Sequence, residues 1–546
     1  MYVDTGNYLQ NGKPRQRILL RTSYREQGKV KHKTIANLSS CAAHEIEAIR
    51  FALKHKNNLK TLERILSTSI QTQQGLSVGA VYALQEIAQR LGLCKALGRS
   101  RPALLALWLV RARLIHQGSR LSAVRLATQH AACDLLNLDA FNEDDWYSAL
   151  DWLAQHQDGI EDRLFQERKK TSASQLFLYD VTRSYFEGQQ NALSDDGYNR
   201  EGKQGKQPIV IGLLTDEAGD PVSVQVYRGN TSDQNTFADP VRKVQERFGV
   251  QSVTMVGDRG MIKRTQMETL PASFQYVTAI TKPQIKTLLK QGVFQMERFD
   301  EEVCEVEWET VRYILRRNPV RAEEIAANRQ EKVDRIQQEA TGQTLYLQEH
   351  PRAWSSTALQ KVKDKIERLN LAEWLRVESE DRTLNLKVDE EKWQEISRLD
   401  GCYVIKTDIA AAALSQQAVH DRYKDLAQVE MAFRTMKTVL LETRPHYVRQ
   451  ENRTRGHVFA VMLAYKIVRH LKTAWNSLDL TVEEGIQELG SIVATTVVIG
   501  SMQYQTVPKP RPIGEQLLHA LHLVLPEAIP SRGVNVATRK KLTPRR

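Results

Sequence analysis

A chain of 546 residues is too long for one hydrophobic core and implies about three or four domains. The 77 Lys and Arg against 65 Asp and Glu leave +12, a surplus that favours polyanionic partners because each neutralised phosphate releases a counterion. Five scattered cysteines with no Cys-x-x-Cys pair speak against a zinc ribbon or disulfide framework, and the charged N-terminus lacks the apolar stretch of a signal peptide, so a reducing cytoplasm is expected.

Residues 1–40 read as a basic β-ribbon. Ile18–Tyr24 and Lys29–Ile35 flank Glu26-Gln-Gly as a hairpin with Lys and Arg on one face, either a solvated ribbon or a DNA contact. From 41 to 170 the periodicity is helical, and short paired helices around Gly118–Cys133 fit a helix-turn-helix or plain packing. Residues 171–281 change texture. Strands are expected at Gln175–Val181, Pro208–Leu214 and Pro221–Tyr227, then a helix capped by Thr231 or Ser232 and ending near Phe248. A strand at Ser252–Val256, a short helix after Gly260 and a strand at Gln275–Ile280 complete the order. That order suits an α/β, ribonuclease-H-like core with a mixed sheet flanked by helices. Residues 282–417 read as an α+β insertion, 418–475 as the second part of the core, and 476–546 as a helical region with a basic tail. The apolar stretch Val458–Val468 contains Lys466 and is too short to span a bilayer, so it is read as a buried helix with no membrane partner.

Asp180 follows four apolar residues and Asp258 ends a strand between Gly257 and Gly260. Two strand-end carboxylates on one sheet suit a hard divalent cation, although either Asp alone also reads as a turn or cap residue. At about 100° per residue, Tyr423, Glu430, Arg434 and Lys437 share one helical stripe, and Val429, Phe433, Met436 and Leu440 form the core stripe beside it. A metal-binding carboxylate beside phosphate-binding cations explains that face, and so does a solvated Glu–Arg pair. Gly197-x-x-x-x-Gly202-Lys203 has phosphate-loop spacing, but Gln204 replaces the hydroxyl residue and a strand follows, which excludes ATP binding. Its cations Arg200, Lys203 and Lys206 fit contacts with DNA backbone or an inert loop. Asp408 and Asp233 read as capping residues.

Tyr423-x-x-Leu426-x-x-x-Glu430-x-x-x-x-x-x-Lys437 resembles the Tyr-x2-Arg-x3-Glu-x6-Lys signature of IS-four-like insertion-sequence DDE transposases, long-insertion branch. The segments SYREQGKVKHKTIANLS, LFLYDVTRSYFEG, GYNREGKQGKQPIVIGLLTDEAGDPVSVQVYRGNTSD and VGDRGM are similar to that group. Leu426 departs from the signature Arg. The resemblance implies a catalytic triad of Asp180, Asp258 and Glu430 holding two Mg²⁺ or Mn²⁺ ions. Tyr423, Arg434 and Lys437 would position phosphate. The implied partners are double-stranded DNA (terminal inverted repeats and target) and a second copy of the chain, as a dimer or higher assembly. Related enzymes are also similar in setting an insertion-domain aromatic against a distorted base. Trp308, Trp354, Trp374 and Trp393 are the candidates here, with core packing the simpler expectation for each. A DNA-binding repressor without catalysis and a ribonuclease-H-like nuclease without strand transfer are the alternatives.

Overall fold

The computed structural model describes residues 1–546 except 11–12, 58–69, 117–119, 171–174, 189, 198–204, 251–252, 260, 263–266, 268–270, 272, 446, 500–501, 531, 533, 535 and 537–546. Arg200, Lys203, most of the segment expected to be helical after Gly260, and the end of the basic tail lie outside the described residues. The chain divides into two compact units.

The smaller unit comprises Met1–Leu76, Val493–Lys509 and Pro526–Ser531. Strands β1 (Tyr2–Gln10), β2 (Lys13–Glu26) and β3 (Lys29–Asn37) form an antiparallel meander, so the expected hairpin gains a strand on its outer edge. Gln27 (φ 49°) and Gly28 (φ 80°) make the tight β2–β3 turn, whose two left-handed residues match the strand twist. Helix α1 (Ala43–His55) follows, with Arg50 Nη2 donating to Thr5 Oγ1 at 2.9 Å. Strand β4 (Ile70–Ser77) joins a C-terminal hairpin, named in chain order β15 (Val493–Ile499) and β16 (Met502–Thr506), in the order β16-β15-β4. Neither 41–170 nor 476–546 is therefore wholly helical. The run VATTVVI is rich in β-branched side chains, which are stiff at χ1 and pack well on a pleated surface.

The larger unit begins with helices α2 (Gly79–Arg90), α3 (Leu93–Leu97), α4 (Arg101–Ile115), α5 (Arg120–Leu126), α6 (Ala132–Leu136) and α7 (Glu143–Lys169). The long α7 starts where the Asn142 side chain accepts from the amides of Asp144 and Asp145. Strands β5 (Leu176–Tyr185), β6 (Pro208–Asp216) and β7 (Pro221–Tyr227) form the expected meander. The next segment is not one helix but a 3₁₀ turn (Asp233–Thr236), α8 (Ala238–Arg242) and a π turn (Lys243–Arg247). Pro240 has no N–H to donate back to Thr236, so a regular helix begun at Ser232 could not continue through it. Strands β8 (Val253–Gly257) and β9 (Phe274–Ala279) follow.

After α9 (Lys282–Lys290) come β10 (Cys304–Trp308), β11 (Val311–Arg317), α10 (Pro319–Glu349), α11 (Ser355–Arg368), β12 (Leu375–Glu380), β13 (Thr383–Val388), α12 (Glu390–Arg398) and β14 (Cys402–Thr407). The main sheet has the order β10-β11-β14-β9-β8-β5-β6-β7. Within it, β5 pairs antiparallel with β6 and parallel with β8, and β8 parallel with β9. Five strands in the order β7-β6-β5-β8-β9 with these directions are a ribonuclease-H-like core. The insertion is not a separate body throughout: β14 pairs antiparallel with β9, and β11 and β10 continue the sheet. The excursion from α10 to α12, with β12–β13, has a core around Ile336, Val362, Trp374 and Leu384, and a second cluster, around Phe294, Phe299, Leu315 and Val404, lies beside β11 and β14.

Helices α13 (Gln416–Lys424), α14 (Leu426–Lys437), α15 (Glu451–Ala474), α16 (Val482–Gly490) and α17 (Pro512–Ala520) complete the unit. Phe177, Tyr179 and Val181 of β5 point into a core with Val210, Met255 and Phe274. By strand alternation Leu178 and Asp180 face the opposite side, and α14 packs on β5. The apolar stretch Val458–Val468 lies inside α15 and is buried, with Lys466 Nζ donating to Asp220 Oδ2 (2.5 Å) and the Pro221 carbonyl (3.0 Å). Among the described residues no helix is long and apolar enough to cross a membrane, and all five cysteines are free thiols.

Candidate active site

Strand register brings the first two acids together. Tyr179 of β5 is the parallel partner of Gly257 of β8, so Asp180 and Asp258 are the next positions on neighbouring central strands. Adjacent strands lie about 4.8 Å apart, so the two residues occupy neighbouring backbone positions where β8 ends and β5 continues. Asp180 is half-buried within β5, and Asp258 is half-buried just past the end of β8. The Asp258 carbonyl accepts from Met261 N (3.0 Å) and Thr278 Oγ1 (3.3 Å), and its Oδ1 accepts from Arg259 N (2.7 Å). These bonds hold the chain at the point where it leaves the sheet.

Glu430 arrives on α14. Val429, Phe433 and Met436 are buried, and Leu440, just beyond the helix, is buried as well. The core stripe therefore lies where the periodicity puts it, leaving Glu430 and Arg434 exposed. Helices α13 and α14 meet at Asp425, whose backbone remains helical (φ −59°, ψ −18°), so the expected helix is interrupted there and not ended. Tyr423, at the end of α13, donates its hydroxyl to Asp258 Oδ1 at 3.4 Å. Burial pushes the Tyr423 phenol above its usual range. The charges of Asp258 and Glu430 push the same way and Arg259 opposes them, so this hydroxyl stands in the field of both acids. Lys437 Nζ donates to the Arg183 carbonyl of β5 at 2.7 Å, pinning the end of α14 to the strand that carries Asp180.

An oxygen-only donor set on rigid strands, with a third carboxylate on a helix packed against one of them, fits a hard divalent cation. Among the described residues no three or more His, Cys, Asp or Glu side chains, these three acids included, are gathered so that they could hold a metal ion. Lys206 forms an ion pair with Glu187 at 2.7 Å.

Arg183 and His420, which the sequence did not single out, support this arrangement. Arg183 pairs with Asp233 at 2.8 Å, so Asp233 is an ion-pair residue at the start of the 3₁₀ turn and not a helix cap. His420 on α13 is fully buried, its Nε2 lying 2.6 Å from Tyr403 Oη and 2.9 Å from Arg316 Nη1. Burial lowers its pKa, and with these neighbours it ties α13 to β11 and β14. Contacts of this kind join segments distant in sequence, so no local spacing announces them. Asp408 caps a strand end: its Oδ1 accepts from Tyr276 N at 2.9 Å, and burial raises its pKa. Of the four insertion tryptophans only Trp374 is core, at 3% exposure; Trp308, Trp354 and Trp393 are 37%, 78% and 38% exposed, against the packing expectation.

Residues 171–467, more than half of the chain, match the model of the transposase DDE domain, and residues 7–64 match that of the IS1634 family transposase N-terminal domain. The chain belongs to the insertion-sequence DDE transposases. It is thus a DNA transposase, with DNA as its partner, in a family that generally uses divalent metal ions. No curated protein matches the sequence. A solved structure, described as the cryo-EM structure of piggyBac transposase synaptic complex with hairpin DNA, is 9% identical over 71% of this chain and 69% of that one, with a TM-score of 0.35. No residue role is carried across at that distance.

Proposed function

We propose that this transposase cuts DNA at its element's terminal inverted repeats and joins the freed 3′-hydroxyls to target DNA, with Asp180, Asp258 and Glu430 as its acidic triad. The observation that carries the assignment is the β5–β8 register, which sets Asp180 beside Asp258, together with the Tyr423–Asp258 bond beside the Glu430 helix. The three carboxylates would hold Mg²⁺ or Mn²⁺, two ions per site, whose chemistry there is to activate the attacking oxygen and stabilise the leaving one. In the first step water attacks the phosphodiester and the bond to the 3′-oxygen breaks. In the second, the released 3′-hydroxyl attacks a target phosphodiester and displaces a target 3′-oxygen. Tyr423 orients Asp258 through its hydroxyl, and Arg434 and Lys437 on the same helix stripe steady the phosphate backbone. Arg200, Lys203 and Lys206 supply further backbone contacts.

The domain division follows the same reading, with residues 1–40 and 41–170 recognising DNA ends, 171–281 and 418–475 forming the catalytic core, 282–417 the insertion and 476–546 a C-terminal region. Two ends must be held together, so a homodimer or larger assembly acting in the cytoplasm is expected. The test is cleavage and strand transfer on the element's own ends with Mg²⁺ or Mn²⁺, wild type against Glu430→Ala. Metal-dependent cutting and joining that vanishes in the variant is the expected result. Equal activity in the variant would remove Glu430 from the triad. Cutting without joining would favour a nuclease, and end binding without cutting a repressor.

A further inference from the structure

Arg111 lies in the middle of α4 with none of its surface exposed. Its Nη2 donates to Gln85 Oε1 and lies 3.6 Å from Cys94 Sγ, both uncharged partners. Among the described residues its Nε and Nη1 atoms have no hydrogen-bond partner and no carboxylate pairs with it. Burial lowers the guanidinium pKa to about 10, so it stays charged at neutral pH. A buried cation with idle donors is costly unless an anion completes it.

The same side chain lines a cavity of about 510 Å³ together with Arg99, Lys95, Gln85, Gln89 and Asn137. That volume falls within the roughly 300–1,000 Å³ of small-ligand sites. Among the described residues no carboxylate lines it. Glu86, which acts to raise the Cys94 thiol, is not part of the wall, and Glu167 reaches the exposed Lys95 from α7. Cations and amides are therefore gathered around a hollow whose innermost guanidinium has unused N–H groups. None of these residues belongs to the elements that carry Asp180, Asp258 or Glu430.

We infer that this cavity is a phosphate-binding site, with Arg111 as its buried anchor and Arg99 and Lys95 as its exposed cations. Phosphate fits because it carries enough charge for more than one cation and brings several acceptor oxygens, which meet the unused donors of Arg111 once that unexposed side chain turns toward the hollow. The group could belong to a free phosphate or phosphate ester, or to the backbone of bound DNA.

The test is thermal unfolding of the full chain against inorganic phosphate at constant ionic strength. The wild-type melting temperature should climb with phosphate. Arg111→Met should abolish that climb while melting at the same or a higher temperature without phosphate, because an apolar replacement removes an unpaired buried charge. Arg99→Ala should raise the half-saturating phosphate concentration about tenfold, and it decides the matter if the Met variant fails to fold. Binding of an element-end duplex separates the sources. Weaker binding by Arg111→Met, with phosphate competing against DNA in the wild type, assigns the site to the DNA backbone; unchanged DNA binding assigns it to a free phosphate or phosphate ester. A flat wild-type titration, or an undiminished climb in Arg111→Met or Arg99→Ala, overturns the inference.

Discussion

Leu426 begins α14 with 9% of its surface exposed, among the buried residues of that helix. The departure from the signature that the sequence resembles thus sets an apolar side chain at a buried position, where an unpaired charge would be costly. Restoring the signature with Leu426→Arg should destabilise the protein by about 2–4 kcal/mol, from lost burial and a desolvated guanidinium. A urea midpoint measured for both proteins checks this, and an arginine variant that is equally stable and more active would show that the site accommodates the cation. Tyr423 makes the opposite case, a polar group whose bond is long but whose partner is charged. Hydrogen bonds to charged groups contribute about 1.5–3 kcal/mol, and at 3.4 Å the lower figure applies. Tyr423→Phe should slow end cleavage about tenfold, with little change in end binding. A rate within twofold of wild type would leave the hydroxyl without a positioning role.

Elements are held in place here by close approach as much as by burial. Helix α15 presses on α7 at Gly456, where an added Cβ would come 2.0 Å from the Leu150 carbonyl oxygen. Gly456→Ala should cost about 3 kcal/mol or more, since backbone cannot move aside as a flexible side chain can. Denaturant unfolding followed by circular dichroism measures it, and a loss below about 1 kcal/mol would mean that the helices separate freely. Gly219 does similar work in the β6–β7 turn, where its φ of 77° and the closeness of the Gln428 side chain exclude a Cβ. Apolar periodicity was a sound guide to the buried face of α14 and to α15. It could not reveal the breaks at Pro240 and Asp425, because local backbone geometry does not alter the spacing of apolar residues.

Across the whole molecule, the insertion leaves and rejoins the sheet at one place. Asn318 N donates to the Gly401 carbonyl at 2.9 Å, so the two ends of the α10–α12 excursion meet. Replacing residues 319–400 by a short glycine linker should therefore leave a folded catalytic sheet, because β11 and β14 keep their pairing and their packing against Phe294 and Phe299. A cooperative thermal transition in the shortened protein is the expected result; an aggregate would show that the excursion's core is needed for the sheet to form. The strand types and order, Asp258 at the end of its strand and the stripe on the Glu430 helix were legible in residues 171–281 and 418–440 because each follows from local pattern, whereas β5 runs on to Tyr185 and leaves Asp180 in mid-strand. The first strand of the N-terminal meander, β1, was not legible, since MYVDTGNYLQ has no clear alternation and depends on its neighbour for pairing.

The sequence by itself determined most of the strands and helices in the core, that Asp258 follows a strand, and the family to which the chain belongs. These depend on side-chain periodicity and motif spacing, which are local properties. Only the tertiary structure decided that Asp180 and Asp258 are neighbours, that β4 pairs with a strand more than 400 residues away, that β10, β11 and β14 extend the catalytic sheet, and that Arg111 is buried without an anion. The physical reason is that register, pairing and charge compensation depend on residues brought together from distant parts of the chain.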